Sequence, residues 1–244
     1  PLHCIVLIDL QKAFDTVDHS ILTTKLKAMG VDRSSVSWFE SYLSGRKQFV
    51  NVNGSQSESG NITCGVPQGS ILDPLLFVIY VNDMVQRVDC DLFLYADDSC
   101  LMVSGKSPQD IESKLSIELA SLSEWLEENK LSLHLGKTES ILFGSKKKLS
   151  KCNKMSISCN GVNIKGKSSV KYLGVTLDQD LSGSSMGISI IKKVNAKIKF
   201  LYRKGAFFSS RERKMLCSAL LQSNFDYGCN TWYRGLTKVV KNRL

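Results

Sequence analysis

The sequence predicts an α+β chain in which a mixed sheet with packed helices is followed by a helical appendage. Three observations carry this. Short apolar strand-like runs alternate with amphipathic helical stretches over residues 1–181. Beyond Gly183 only helical spacing is visible. A length of 244 residues with 43% apolar content is ample for a sizeable core, in one large domain or two small ones.

His3 to Asp9 reads as a buried strand ending in a carboxylate. Asp18 to Met29 has helical spacing and stops at Gly30, a C-terminal signal. Ser34 or Ser35 is placed to cap a second helix through Leu43, stopped by Gly45. Lys47 to Val52 alternates, and Asn53-Gly54 is a strong hairpin turn. Gly65 to Gly69 is a glycine-bounded loop. A long apolar helix follows to about Val88, with Asp73 as its cap and Pro74 at its first position. Apolar strands flank Asp97-Asp98 as a hairpin. Ser107-Pro108-Gln109-Asp110 opens a helix to about Asn129 with a capping box and a first-turn proline. Short strands come next: Glu139 to Phe143, Met155 to Cys159 before an Asn160-Gly161 turn, and Ser169 to Leu177. Ser182-Gly183-Ser184-Ser185 reads as a linker, dividing the chain into 1–181 and 182–244. Two basic amphipathic helices, about 186–204 and 209–223, and an unassigned tail complete it. No internal repeat stands out.

The charge is distributed unevenly. Residues 1–136 carry a net −8, residues 137–214 a net +14, and the rest +3, for +9 in total. A basic back half in which acids are nearly absent points to a polyanion partner ahead of a merely solvated surface. The eight cysteines include no Cys-x-x-Cys pair, and the three histidines lie far from zinc-finger spacing. Reduced, structural thiols in an intracellular protein fit this pattern. The longest apolar stretch, Pro74 to Val81, is far too short to span a bilayer, so no membrane role is expected. A strand begins almost at Pro1 with no charged-then-apolar leader, so the chain reads as a fragment of something longer without a signal peptide.

The chemistry centres on three acids. Asp is a favoured turn residue, so Asp97-Asp98 alone is equally readable as a plain hairpin tip. Adjacent carboxylates also repel each other and are relieved by a cation. If the strand ending at Asp9 neighbours this hairpin, three carboxylates meet at one sheet edge. Such a set suits two Mg²⁺ ions, with waters and substrate phosphates completing each octahedron. Two metals about 4 Å apart clamp the attacking and leaving oxygens of an in-line phosphoryl transfer.

At this point the residues resemble a known family. Asp9 to His19 (DLQKAFDTVDH) looks like the first catalytic motif of reverse transcriptases from non-LTR, LINE-type retrotransposons. Gly65 to Phe77 (GVPQGSILDPLLF) resembles their second motif, and Tyr95-Ala96-Asp97-Asp98 the third. Asn129 to Thr138 (NKLSLHLGKT) is similar to the fourth, and Tyr172-Leu173-Gly174-Val175 to the fifth. Five motifs in order are far more specific than any one of them.

The resemblance implies an RNA-directed DNA polymerase of right-hand architecture: a palm over 1–181 and a basic, thumb-like helical region over 182–244. Asp9 and Asp97 would be metal ligands, with Asp98 weaker or behind them and the Leu10 carbonyl adding a ligand. Two Mg²⁺ ions are implied, with Mn²⁺ as a substitute. Phe14 would exclude a ribose 2′-OH; spacing alone reads it as a core aromatic. Gln68 and Gly69 would lie along the nascent base pair and template, Gly serving close backbone approach. Tyr95 would contact substrate beside the acids. Lys137 would protonate the pyrophosphate leaving group; by itself it reads equally as a solvated surface lysine. Tyr172, Leu173 and Gly174 would hold the primer end, where spacing alone gives a buried strand. Implied partners are an RNA template, a DNA primer and deoxynucleoside triphosphates, in nucleus and cytoplasm.

Two departures stand out. Asp73 replaces a usual Gly, adding a negative charge near the template path, as in a decaying copy. With Asp9 so close to Pro1, the family's triphosphate-binding fingers are expected upstream, outside this chain. No endonuclease segment or zinc knuckle is visible either. The rival reading is a catalytically inactive, truncated or domesticated remnant that only binds nucleic acid. An intron-encoded or other cellular reverse transcriptase is a third candidate.

Overall fold

A computed structural model describes residues 1–152 and 155–244. Strand β1 (Leu2–Ile8) is the pivot. After a 3₁₀ turn (Ala13–Asp15) come α1 (His19–Ala28) and α2 (Arg33–Leu43). The short strands β2 (Lys47–Gln48), β3 (Asn51–Val52), β4 (Ser55–Gln56) and β5 (Gly60–Asn61) form an exposed ribbon. Then follow α3 (Asp73–Val81), β6 (Asp91–Tyr95), β7 (Asp98–Gly105) and α4 (Pro108–Glu128). Strand β8 (Glu139–Phe143), the turn α5 (Lys146–Leu149), β9 (Ile157–Cys159) and β10 (Val162–Gly166) complete the main sheet. Its order is β6-β7-β1-β8-β10-β9, antiparallel except for the parallel β8–β10 pair. A separate hairpin pairs β11 (Ser169–Tyr172) with β12 (Val175–Asp178). Helix α6 (Ser184–Lys204) leads to α7 (Ser210–Cys217), a π turn, α8 (Ser223–Asp226), α9 (Cys229–Trp232) and α10 (Lys238–Lys241).

The period-2 alternation of β1 decides what covers each face. Leu2, Cys4, Val6 and Ile8 join the core built with α1, α3 and α4, where Trp125, Tyr80 and Phe77 are fully buried. Ile5 and Leu7 face the other way, with Cys100 and Ile141, under Val170, Tyr172 and Leu177 of the β11–β12 hairpin. A third cluster, Met186, Ile190, Val194, Trp232 and Leu236, holds the C-terminal helices together.

Several local expectations change. Asp32, not a serine, caps α2, its carboxylate accepting from the Ser34 and Ser35 amides. The Lys47–Val52 run breaks at Phe49–Val50, while Asn53 and Gly54 both take positive φ as the predicted turn requires. Helix α3 ends at Val81 and tightens into a 3₁₀ stretch, and Asp73 is its first residue, not its cap. The capping box at α4 is half formed: Ser107 accepts from the Asp110 amide, but the Asp110 carboxylate accepts from Lys106 N–H. Ser169–Leu177 is a hairpin, turning at Leu173–Gly174 with both φ positive. Ser182–Ser185 is no loose linker. Asp178 accepts from Ser182 Oγ and from the Ser185 amide, and a Cβ on Gly183 would collide with the Trp232 carbonyl oxygen.

Asp18 caps α1 through the Ser20 and Ile21 amides and pairs with Lys130 at 2.6 Å, tying the helix to the end of α4. The Lys130 ammonium and these bonds hold its carboxyl well below the usual carboxylate range. That stability is present above the unfolded carboxylate pKa and is lost as pH falls toward the folded value. We predict that Asp18→Ala costs about 1 kcal/mol in denaturant unfolding near neutral pH, and that the gap between variant and native protein narrows as pH drops below about 4. A gap independent of acid pH would contradict this role.

Candidate nucleotidyl-transfer site

The sheet register brings two of the three predicted acids, Asp9 and Asp98, together; Asp97 does not line the cavity they share. Ile8 pairs with Ser99 across β1–β7, and Leu7 with Glu139 across β1–β8. Extending each antiparallel ladder by its own step places Asp9 opposite Asp98 on one side and level with Lys137 on the other. Directly opposed residues share a face, so these three groups lie on the side covered by the β11–β12 hairpin. Lys137 Nζ stands 3.7 Å from Asp9 Oδ2. Asp9, Asp98, Lys137, Tyr172 and Leu173 line one cavity of about 140 Å³.

Asp97 sits with Ala96 in the two-residue turn between β6 and β7, and Ala96 takes a φ of 54° to make it. Burial, then the Asp97 and Asp9 carboxylates, push the Asp98 carboxyl above its ordinary range. Tyr172 is pushed up as well, by burial first and then by Cys100 and Asp98. Leu10 forms an isolated bridge to Leu133 between two bonds, Gln11 N–H to Ser132 O and His134 N–H to Asp9 O. In such a non-hydrogen-bonded pair the residue's own carbonyl points away from the partner. The Leu10 carbonyl therefore faces the hairpin carrying Asp97 and Asp98.

The remaining predicted residues form a second layer. The Phe14 ring packs on Phe77 of α3 with centroids 4.5 Å apart. Its carbonyl accepts from Val66 N–H, and Gly65 N–H donates to Val17 O, which pins the glycine loop to the 3₁₀ turn. A Cβ on Gly65 would strike the Asp15 backbone at 2.8 Å, so glycine is required there. Gln68 Nε2 donates to Asp15 Oδ1 at 2.7 Å, an anchor that the sequence did not suggest. Gly69 is exposed at the loop's end and its N–H donates to Asp73 Oδ2. Asp73 is only 7% exposed, so its charge is drawn into the start of α3 and does not project into an open path. A carboxylate there is favoured by the helix dipole. Tyr95, directly opposite Asp98, is 65% exposed at the edge of the sheet.

Sequence reasoning missed Glu139 and Lys171, which line the same cavity. Glu139 was findable in principle, because it lies two residues from Lys137 on the same strand face. Lys171 carries no comparable signal.

Among the described residues, no three acidic, histidine or cysteine side chains converge as a ready-made metal cage. The donor set is nonetheless all hard carboxylate and carbonyl oxygen, with a charge repulsion at Asp98 that a cation relieves. It fits Mg²⁺, which keeps waters and takes substrate phosphates in place of a full protein cage.

The fold is shared with the telomerase of Candida tropicalis, solved in complex with a fragment of telomeric RNA: TM-score 0.51, 13% identity, covering 94% of this chain and 39% of that one. At that identity the likeness is one of fold. The family model for reverse transcriptase (RNA-dependent DNA polymerase) matches residues 2–177, and the chain belongs to that family. Its relatives include the probable RNA-directed DNA polymerase from transposon X-element of Drosophila melanogaster, 29% identical across 93% of this chain and 25% of the relative. The RNA-directed DNA polymerase from mobile element jockey of the same organism is 30% identical across 78% of this chain and 21% of its own length. The chain thus spans about a quarter of the relatives it matches. No helix among the described residues is long and apolar enough to cross a membrane.

Because the Asp98 pKa is raised, its contribution to stability is fullest below the ordinary Asp value and is lost as pH rises through the folded value. At neutral pH the ionised group therefore opposes folding. Asp98→Asn is predicted to raise the melting temperature in chelator by roughly 1–2 °C, a small shift for a partly exposed group. Added Mg²⁺ should stabilise the native protein more than this variant. A lower melting temperature for the variant in chelator would contradict the repulsion.

Proposed function

We propose that this chain is the catalytic region of an RNA-directed DNA polymerase of a non-LTR retrotransposon, adding deoxynucleotides to a primer 3′-OH on an RNA template. The observation that carries the reading is the gathering of Asp9, Asp98 and Lys137 on one sheet face beneath the Tyr172–Gly174 hairpin, in a member of the reverse transcriptase family. Asp9 and Asp97 would hold two Mg²⁺ ions, or Mn²⁺ in their place, with Asp98 and the Leu10 carbonyl in support. When bound, these ions favour the primer alkoxide and neutralise charge on the leaving phosphates.

The chain's own residues then supply position and protons. Lys137, exposed and already within reach of Asp9, donates a proton to the departing pyrophosphate. Phe14, held against Phe77, offers a fixed wall to the sugar and selects against a 2′-OH. Gln68 and Gly69, at the end of a pinned loop, lie along the template base. Tyr95 meets the duplex beside the acids, and Tyr172, Leu173 and Gly174 hold the primer end. Residues 1–181 act as palm and 182–244 as thumb, whose lysines and arginines grip the duplex through its phosphates. The work is positioning and electrostatics, as phosphoryl transfer requires. The remnant that only binds nucleic acid is not favoured, because the sequence retains Asp9, Asp97, Asp98 and Lys137.

In the full reading frame that encodes this chain, Asp97→Asn is expected to abolish primer extension while RNA–DNA hybrid affinity stays within about twofold. Undiminished extension would sink the assignment. Hybrid binding by the chain should weaken steeply between about 50 and 200 mM salt, by roughly 10³-fold for six phosphate contacts. A flat response would remove the basic helices from the interface.

A further inference from the structure

The turn that closes the β11–β12 hairpin is held from outside the sheet. Tyr227, just beyond α8, donates its hydroxyl to the Leu173 carbonyl at 2.6 Å. The same ring lies flush against Gly174: a Cβ there would come within 3.0 Å of Tyr227 Cε1. Gly174 also takes a φ of 81°, so it is required twice over. The next residue repeats the fit, since a Cβ on Gly228 would meet Val175 Cγ2 at 3.0 Å.

Tyr227 is itself anchored. Its carbonyl accepts from the indole N–H of Trp232 at 3.0 Å, and Trp232 is buried in the C-terminal helical cluster with Met186 and Ile190 of α6. On its other side the hairpin reaches the acids, where Tyr172 and Leu173 line the cavity of Asp9, Asp98 and Lys137. One tyrosine thus joins the C-terminal helices to the turn beside the carboxylates.

We propose that Tyr227 is a positioning residue: it transmits the placement of the C-terminal helices to the Leu173–Gly174 turn, and through it sets the primer end against Asp9 and Asp98. This rests on the polymerase reading above for its catalytic consequence. The mechanical link is independent of that reading. Tyr227 is 56% exposed, so losing its hydroxyl leaves the core untouched.

The test uses Tyr227→Phe, with Tyr227→Ala as the harsher variant. Hydrogen exchange on the chain should quicken in residues 169–178 of Tyr227→Phe by about three- to tenfold, the scale of one lost hydrogen bond, with β1 and α4 unchanged. Unaltered exchange in both variants overturns the link. In primer extension by the full reading frame, Tyr227→Phe should lower kcat about tenfold, as expected for a misplaced reacting end, with KM for primer–template held within twofold. A raised KM with native kcat overturns the positioning role and leaves a duplex-binding contact. A native protein that extends no primer condemns the polymerase reading alone, and the exchange result still decides the link.

Discussion

The site depends on the register of β1 between its two antiparallel neighbours. Side chains alternate along a strand, so slipping β1 by one residue would bury Asp9 among the helices and turn Leu10 outward. The slip is prevented by the apolar set on each face: Cys4, Val6 and Ile8 against α3 and α4, Ile5 and Leu7 against the β11–β12 hairpin. Core packing, with Trp125 and Leu115 fully buried, thereby fixes the position of a carboxylate at the strand's end. Removing one such buried side chain costs on the order of 2–5 kcal/mol, far more than the exposed Asp9–Lys137 pair contributes.

The parts of the fold that were legible in the sequence are those where local chemistry and tertiary demand coincide. Asn53-Gly54 and Asn160-Gly161 take the positive φ values for which Asn and Gly are suited. Strand β8 and helix α4 follow their apolar periodicity nearly to the residue. The β11–β12 turn was illegible because Leu173 takes a φ of 44°, which a leucine does not announce. The Ser182–Ser185 segment looked like a linker for its composition, yet Asp178 nearby and Trp232 far along the chain hold it in place. Asp73 was legible as a residue at the start of α3, but its burial and its bond from the Gly69 amide appear only in the folded chain. The conjunction of the acids was conditional in the sequence on strand adjacency, which is a tertiary fact. Lys171 enters the site, and Tyr227 its bracing, through tertiary contacts and not through any motif.

Charge organises the molecule on a larger scale. The acidic front half carries the repelling carboxylates at the sheet edge, and the basic stretch begins at Lys137, beside Asp9. On the proposed reading, a negatively charged substrate would be drawn by the field of residues 137–214 toward carboxylates that repel it unless a cation is bound. On that reading, metal would be a condition of productive binding and not an accessory to it. Tyr227 adds a mechanical relation to this electrostatic one, since the helices that carry much of the positive charge also brace the hairpin over the acids.

The most direct test of this account is anomalous scattering from Mn²⁺ in crystals of the protein bound to an RNA–DNA primer–template, with a terminated primer and the next triphosphate. Manganese is expected against the Asp9 and Asp97 carboxylates, beside Asp98 and beneath the Leu173–Gly174 turn. Manganese bound elsewhere, or none at saturating concentration with the duplex in place, would contradict it.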